Sequence, residues 1–317
     1  MTESDLIDMR HGTDVAAPAR AVYDHVVGAT RWPYIFAPTI HVEQEDLSPG
    51  EERLRLWAFA NGEVRSWTSR RSLDPALLTI GFRQEVPAAP LREMSGQWRI
   101  SKLAGNRARV ELLHRFRVAG DEETVAWARR ATDRNSVAEL AKLREAVEQG
   151  TRFEATVVTF TDAVRLDADP DRVYDFLYRV DRWPDRIPHV ARLEVTGPDP
   201  DTQVMEMDTS AADGSVHTTR SVRICFPQSR TIVYKQTSPP ELLSAHVGRW
   251  TVRAAGAVVE AVSQHTAVIR PERIAEILGP DVTLEQARAT VRRLLGANSM
   301  TTLEHAALSS EAGTVPA

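Results

Sequence analysis

The sequence contains a single cysteine, Cys225, and this scarcity excludes several classes of protein. One cysteine can form neither an intramolecular disulfide nor a cysteine-based metal site. No stretch approaches the roughly 18 consecutive apolar residues that a membrane-spanning helix requires. The first residues, Met-Thr-Glu-Ser-Asp-Leu, lack the basic start and apolar run of a signal peptide. We therefore expect a cytoplasmic protein that does not associate with a membrane.

Positive charge is not in excess either, because the formal net charge at pH 7 is −5. The chain has no basic run that could follow a phosphate backbone, so we expect no nucleic acid partner. It also lacks a glycine-rich phosphate loop and a cluster of histidine and carboxylate residues at metal-ligand spacing. We expect no cofactor and no metal ion.

The dominant feature that is present is an internal repeat. Five short motifs occur twice, most of them 151 or 152 residues apart and the last pair 163 apart. The matched motifs are Val22-Tyr23-Asp24 with Val173-Tyr174-Asp175, Arg31-Trp32-Pro33 with Arg182-Trp183-Pro184, Gly96 and Trp98 with Gly248 and Trp250, His114 with His265, and Asn135-Ser136 with Asn298-Ser299. Solenoid repeats run to roughly 20–50 residues, whereas this spacing has the length of a whole domain. We predict two copies of one domain, residues 1–150 and 151–317.

Each copy has the same order of predicted elements. A short alternating strand is followed by short helices, by several antiparallel strands and by a long final helix, at residues 124–149 in the first copy. About twelve extra residues follow His265, framed by Pro271 and Pro280, and they predict one additional turn of helix. The order indicates the α+β class, with tandem helix-grip domains. In each domain a curved antiparallel sheet is expected to wrap around the long helix and to leave an internal pocket.

Strand periodicity predicts which polar side chains point inward. In the strand Glu63–Arg71, Ser69 and Arg71 share the face of Trp67, and the strand 109–118 places His114 on its apolar face. Buried polar groups need hydrogen-bond partners. These residues therefore fit a wet pocket that holds an oxygen-rich ligand.

Structural interpretations of the same residues stay open. His114 could be a satisfied core histidine, and Arg71 could pair with a surface acid. The tryptophans could be packing residues. Asn135 and Asn298 could cap local backbone, although Asn298 falls on the apolar face of the final helix.

In their order and doubling the motifs resemble the aromatase/cyclase family of bacterial type II polyketide synthases, which belongs to the START/Bet v 1-like superfamily. The residues that carry the resemblance are Arg31-Trp32-Pro33, Trp67-Thr68-Ser69-Arg70-Arg71, Gly96-Gln97-Trp98 and the helix with Asn135-Ser136. The resemblance implies that the enzyme binds a poly-β-ketone tethered to an acyl carrier protein. It closes the first ring by an intramolecular aldol reaction and then dehydrates it. Two-domain members imply a ketoreduced chain, C7–C12 closure and other type II polyketide synthase components as partners.

Residue roles follow from the resemblance and the strand pattern together. The catalytic candidates are Arg71, Ser69, His114, Arg83 and His265. The substrate-binding candidates are Trp32, Tyr34, Thr39, Trp67, Trp98, Asn135, Ser136, His217, Thr219, Arg220, Trp250 and Asn298. Thr39 stands where the family has a tyrosine, and Tyr34 lies close by.

The second copy departs from the first at the arginine strand. We align His217, Thr219 and Ser221 with Trp67, Ser69 and Arg71, so that serine replaces the arginine, with Arg220 and Arg223 nearby. This alignment points to the first half as the stronger catalyst. One half could then be structural or a docking partner.

A second function class also fits a domain of this kind. It is a non-catalytic START-like module that binds or transfers a lipid or an aromatic small molecule, because fold alone does not define function. Inward polar groups favour catalysis, and a uniformly apolar lining would favour transfer.

Overall fold

The structure, a computed structural model, describes residues 5–60, 62–188, 190–210, 216–256 and 258–311. The chain divides into two compact units, Met1–Glu154 and Ala155–Ala317. Each unit is built from one antiparallel sheet with helices packed against it, so the expected α+β class with two repeats is confirmed.

The first unit contains a seven-stranded sheet in the order β1-β7-β6-β5-β4-β3-β2 within the described residues. Its strands are β1 (Ile7–Val15), β2 (Thr39–Ser48), β3 (Glu51–Ala60), β4 (Glu63–Asp74), β5 (Thr79–Gln84), β6 (Leu91–Leu103) and β7 (Arg107–Val118). Its helices are α1 (Ala19–Val27), α2 (Trp32–Ile35) and α3 (Glu122–Gln149), and α4 (Thr151–Thr156) follows α3. The long helix predicted at 124–149 is thus confirmed.

The second unit repeats this plan, with the sheet order β8-β14-β13-β12-β11-β10-β9 in its described part. Its strands are β8 (Val157–Leu166), β9 (Val190–Asp199), β10 (Thr202–Ser210), β11 (Val216–Phe226), β12 (Thr231–Ser238), β13 (Leu243–Ala255) and β14 (Val258–Ile269). Its helices are α5 (Pro170–Tyr178), α6 (Trp183–Arg186), α7 (Ile274–Leu278) and α8 (Leu284–Glu311). Helix α7 is the extra helical turn predicted after His265. Among the described helices, none is both long and apolar enough to cross a membrane.

Side-chain caps fix where the long helices and α5 begin. Asp121 accepts a hydrogen bond from the Thr124 amide at the start of α3, and Asp169 does the same for two amides of α5. Ahead of α8, Thr283 and Gln286 each accept a hydrogen bond from the other's backbone amide. These caps satisfy amides that lack a partner in the first turn of a helix.

One transverse row of residues crosses each sheet at a glycine, and we call it the glycine row. In the first unit the row is Arg71, Phe82, Gly96, His114 and Met9 on β4, β5, β6, β7 and β1. In the second unit it is Arg223, Tyr234, Gly248, His265 and Phe160 on β11, β12, β13, β14 and β8. The glycine row gathers the arginine and histidine of each repeat on the inner face of its sheet.

The repeated glycine is explained by the aromatic ring beside it. A Cβ atom at Gly248 would lie 2.3 Å from Cζ of Tyr234, and one at Gly96 would lie 2.3 Å from Cζ of Phe82 and 2.1 Å from the Leu113 carbonyl oxygen. Packing an aromatic ring over a glycine on the next strand compensates for the missing side chain. The Gly-x-Trp motif therefore marks the place where the ring crosses the neighbouring strand.

We predict that Gly248→Ala destabilises the second unit by about 1–3 kcal/mol, because the new methyl group overpacks against Tyr234. The measurement is the free energy of unfolding in urea. In a Tyr234→Ala background the same change should cost clearly less, because the three nearest atoms to the added Cβ all belong to Tyr234. An equal cost in both backgrounds would contradict this explanation.

Candidate functional site

The inward arginine of the first unit is buried and fully engaged. Only 3% of Arg71 is exposed. Its guanidinium forms an ion pair with buried Glu52 on the adjacent strand β3. It also donates hydrogen bonds to the carbonyl oxygens of Val26 (2.9 Å) and Val27 (2.8 Å) at the end of α1. Arg71 therefore links the sheet to the C-terminal end of α1, where unpaired carbonyl groups need donors.

The second unit has an arginine in the same place, and it is Arg223. Its guanidinium donates to the carbonyl oxygen of Leu177 at the end of α5 and to Oε1 of Gln203 at 2.8 Å. Arg223 pairs with Gln203 in the sheet as Arg71 pairs with Glu52. The alignment of Ser221 with Arg71 is therefore wrong, because Ser221 occupies the position of Ser69 and Thr219 that of Trp67.

The tryptophan that follows each first helix packs on this arginine. The Arg71 guanidinium carbon lies 5.3 Å from the Trp32 ring centroid, and that of Arg223 lies 5.4 Å from the Trp183 ring centroid. Both distances suit a cation–π contact. Trp32, Trp98 and Trp250 are all buried, whereas Trp67 is half-buried.

Arg83 and Arg220 lie on the outer faces of their sheets, so the expected inward position of Arg83 is wrong, and the substrate-binding candidate Arg220 also points away from the inner face. Arg83 is exposed and stands opposite exposed Arg70 in the β4–β5 register. Arg220 is exposed and donates a hydrogen bond to Glu206 at 2.6 Å. Both point outward because they alternate with inward residues on their strands. His217 is likewise exposed at the start of β11.

Arg83 belongs to a surface of mixed charge. A groove of about 660 Å³ has Arg70, Arg83, Arg92, Glu51, Glu85 and Glu93 in its lining. Because both acidic and basic side chains line the groove, its electrostatic potential does not have a single sign.

Tyr34 and Thr39 lie near the end of α2 and at the start of β2. The Tyr34 hydroxyl accepts a hydrogen bond of 2.9 Å from Nε of Arg31, and burial raises the pKa of this phenol. Thr39 is buried. The Tyr34 oxygen therefore accepts from Arg31 on this side of the unit, while Ser69 is buried on the same face of β4 as Arg71.

His114 has an orientation that leaves one ring nitrogen free. The Ser136 hydroxyl donates to the Thr132 carbonyl oxygen at 2.7 Å, so its oxygen can only accept from Nδ1 of His114, 3.4 Å away. Within the described residues, Nε2 of His114 has no hydrogen-bond partner. Burial, aided by nearby His11, lowers the pKa of His114 to about 4. At neutral pH the ring is uncharged and Nε2 carries a lone pair.

The repeated asparagines are accessible although they lie on inward-facing parts of their helices. Asn135 is exposed one turn after buried Ala131 and two turns after buried Ala128. Asn298 is exposed two turns after buried Val291. Positions four and seven residues apart share a helix face. Both amides therefore reach solvent on the side of the helix that packs toward the sheet.

Sequence reasoning missed two further polar residues of the first unit, His11 and Glu139. His11 on β1 forms a hydrogen bond of 2.9 Å with Asp133 of α3. Glu139 lies one turn after Asn135 on α3, is half-buried, and burial raises its pKa to about 7. The spacing of Glu139 from Asn135 and Ser136 was the available signal, because i, i+3 and i, i+4 residues are neighbours on a helix.

The corresponding histidine of the second unit, His265, lies in a denser polar cluster. Its Nε2 lies 2.6 Å from the Ser299 hydroxyl and 2.9 Å from the Ser263 hydroxyl. Its Nδ1 lies 3.0 Å from Nε2 of His246 and 3.1 Å from the Tyr234 hydroxyl. Burial lowers the pKa of His265 to about 4 and that of His246 to about 3. Both rings are neutral at neutral pH.

Comparison with known proteins agrees with this architecture. The family model described as "Polyketide cyclase / dehydrase and lipid transport" matches residues 15–140 and 166–290. The bifunctional cyclase/dehydratase of the granaticin polyketide synthase of Streptomyces violaceoruber is 43% identical over 302 residues, covering 94% of this chain and 92% of that protein. The actinorhodin polyketide synthase bifunctional cyclase/dehydratase of Streptomyces coelicolor is 42% identical over 307 residues, covering 94% and 95%.

Solved structures show the same tandem arrangement. The crystal structure of the di-domain ARO/CYC BexL from the BE-7585A biosynthetic pathway matches with a TM-score of 0.86 at 44% identity, covering 96% of this chain and 99% of that one. The di-domain ARO/CYC StfQ from the steffimycin biosynthetic pathway matches with a TM-score of 0.84 at 35% identity, covering 96% and 98%.

Two seven-stranded sheets in tandem, together with the match to the di-domain ARO/CYC structures, define a tandem Bet v 1-like protein of the aromatase/cyclase class. Since the matches cover most of the sequence, the chain belongs to the polyketide cyclase/dehydratase family. It is an enzyme of the cyclase/dehydratase type, and its relatives are the cyclase/dehydratases of the granaticin and actinorhodin polyketide synthases.

The roles of Arg71 and Glu52 can be separated by their effects on stability. We predict that Arg71→Ala lowers the free energy of unfolding by about 3–5 kcal/mol, because it leaves two helix carbonyls without a donor and the buried Glu52 carboxylate without its cation, with Gln44 as its remaining donor. Glu52→Gln should cost clearly less, because the second unit has Gln203 in this position. Urea denaturation of both variants measures the difference. Equal losses would show that the carboxylate, and not the helix contact, dominates.

The buried histidines predict a loss of stability in acid. The pKa of His246 is lowered to about 3 in the folded protein, whereas an unfolded histidine titrates near 6.5. The unfolded state therefore binds more protons in this window, and His246 favours unfolding as the pH falls below about 6.5. Relative to His246→Met, the wild type should lose stability between pH 6.5 and pH 4.

Denaturation curves at several pH values measure this difference between wild type and His246→Met. Methionine is the residue at the corresponding position, Met94, of the first unit, so the variant suits the fold. The raised pKa of Glu139 has the opposite effect, because it stabilises the folded state as the pH falls. Glu139 is present in both proteins, so its contribution cancels in the comparison. Parallel pH profiles would contradict the buried, neutral state of His246.

Proposed function

We propose that this enzyme binds a poly-β-ketone tethered to an acyl carrier protein, closes its first ring by an intramolecular aldol reaction and dehydrates the product. The observation that carries the proposal is the neutral imidazole of His114, whose Nδ1 faces Ser136 and whose Nε2 is free. Half-buried Trp67 and accessible Asn135 lie on the same inner side of the first unit. Together they offer a base, an apolar surface and an amide.

The reaction needs only modest proton transfer from the protein. A methylene between two carbonyl groups is already acidic, so Nε2 of His114 removes a proton and an enolate forms. The enolate carbon attacks a second carbonyl carbon of the same chain. The alkoxide then takes the proton back from His114. Most of the rate advantage comes from holding the chain in a reactive conformation.

In this proposal the buried Arg71 has a structural role. Its donors are satisfied by Glu52 and by the end of α1, so Arg71 shapes the inner face and does not reach the substrate. Ser69 lies beside it on the same face of β4. Instead, the accessible Asn135 amide donates the hydrogen bond that stabilises the developing oxyanion.

The finer features of the substrate rest on the resemblance to two-domain aromatase/cyclases. A ketoreduced chain, closure between C7 and C12, and delivery by an acyl carrier protein are proposed on that ground. The similarity to the granaticin and actinorhodin synthase proteins over 94% of the chain supports them.

The proposal predicts a change of product when the purified protein is added to a reconstituted minimal synthase. We expect an aromatised first ring in place of spontaneously cyclised products, and His114→Gln should reduce its rate of formation by roughly 100-fold. His25→Gln is the matched control, because among the described residues His25 bonds only to the Ala21 carbonyl oxygen within α1.

Mass spectrometry and NMR of the products decide the outcome. An unchanged product profile with His114→Gln would remove this histidine from the chemistry. Tight binding of the polyketide by a wild type that never alters the products would instead support the binding or transfer function.

A further inference from the structure

The two inner faces differ at three aligned positions. In the first unit Phe82 lies beside Gly96, Met94 lies two residues before that glycine, and Leu112 pairs with Trp98. The second unit has Tyr234, His246 and Ser263 in these places. Three apolar side chains are thus replaced by three that form hydrogen bonds, all around the same repeated histidine.

The hydrogen bonds of the second unit form one continuous chain. Oε1 of Gln236 lies 2.8 Å from Nδ1 of His246, whose Nε2 lies 3.0 Å from Nδ1 of His265. Nε2 of His265 meets the hydroxyls of Ser299 and Ser263. The Tyr234 hydroxyl lies 3.1 Å from Nδ1 of His265.

Donor and acceptor chemistry fixes the direction of this chain. An amide oxygen only accepts, so Nδ1 of His246 carries its proton, and the neutral ring leaves Nε2 as an acceptor. Nδ1 of His265 must therefore be protonated to donate to it. Nε2 of His265 then accepts from Ser299 or Ser263. Because Nδ1 of His265 has no lone pair, the Tyr234 oxygen is the acceptor in their contact, and its own proton points elsewhere.

The free phenol proton of Tyr234 lies on the inner face of the sheet. Tyr234 is half-buried, and so are Met207 and Thr219 on the same face. Burial raises the pKa of Tyr234, so the phenol is protonated at neutral pH. Arg223 is its neighbour in the glycine row and, among the described residues, forms no ion pair. Its positive charge favours a transient phenolate.

We propose that Tyr234 is the proton donor of a second reaction site, in which a cyclic β-hydroxy ketone loses water. This inference rests on the proposed function and assigns one step of it to the second unit. His265, His246 and Gln236 are positioning residues, because they fix the hydrogen-bond direction that leaves the Tyr234 proton available.

The step balances with the groups at hand. The C–H bond next to the ketone breaks, its proton passes to water, and its electron pair forms the new carbon–carbon double bond. The carbon–oxygen bond breaks, and the hydroxyl leaves as water with the proton of Tyr234. The phenolate, stabilised by Nδ1–H of His265 and by the charge of Arg223, is then reprotonated by the hydronium ion that received the C–H proton.

The decisive variant is Tyr234→Phe, because the first unit carries phenylalanine at this position and the ring still packs over Gly248. In the reconstituted synthase we expect ring closure to be retained and an intermediate one water heavier to accumulate, with dehydration slowed by roughly 100-fold. Tyr178→Phe is the matched control, since the Tyr178 hydroxyl donates to the Pro200 carbonyl oxygen outside this cluster.

The outcomes separate the two proposals. If wild type gives the aromatised ring and Tyr234→Phe gives the same product at the same rate, Tyr234 is not the donor. If wild type does not alter the products at all, the proposed function fails, and this inference fails with it.

A measurement without substrate tests the positioning residues. Nitrogen-15 NMR of the histidine rings should show protonated Nδ1 and unprotonated Nε2 in both His246 and His265. The His246→Met variant should abolish this fixed tautomer at His265 while the protein stays folded. The opposite tautomers in the wild type would overturn the inferred direction of the chain.

Discussion

In each unit one buried guanidinium ties the sheet to the first helix. Arg71 and Arg223 project from matching strands, donate to the last carbonyl groups of α1 and α5, and lie against the tryptophan that follows each helix. A buried charge is costly unless it is paired and hydrogen-bonded. The positions of the first helix, the Trp-Pro turn and the central strands are therefore fixed together, and the inner face is built around them.

The repeat and the strand alternation predicted much of this arrangement from sequence. The long helix at 124–149 and the extra helical turn after His265 follow from the repeat and the positions of proline and glycine, and the inward direction of Ser69, Arg71 and His114 follows from strand alternation. Alternation gives the face of a residue but not its partner across the sheet. A shift of two residues keeps the face unchanged, and this is why Ser221 was aligned with Arg71 when Arg223 makes its contacts.

Other features of the fold and the site could not be predicted from the sequence, for physical reasons. Strand β2 is an edge strand whose second half is exposed and acidic, so it shows no alternation. The resemblance implies an inward Arg83. On β5, however, Ile80 and Phe82 point inward, and Arg83 alternates with them and points outward. The hydrogen-bond chain from Gln236 to Ser299 joins residues on four elements, and only the folded domain brings them together.

The difference between Glu52 and Gln203 beside the buried arginine gives the two units different electrostatics. Since backbone carbonyl groups hold both guanidinium groups, we expect the arginine to stay in place without the carboxylate. The amide changes the formal charge inside the second unit by a full unit while the arrangement around the arginine is preserved. The guanidinium of the first unit is neutralised by its carboxylate, whereas that of the second can stabilise an anion.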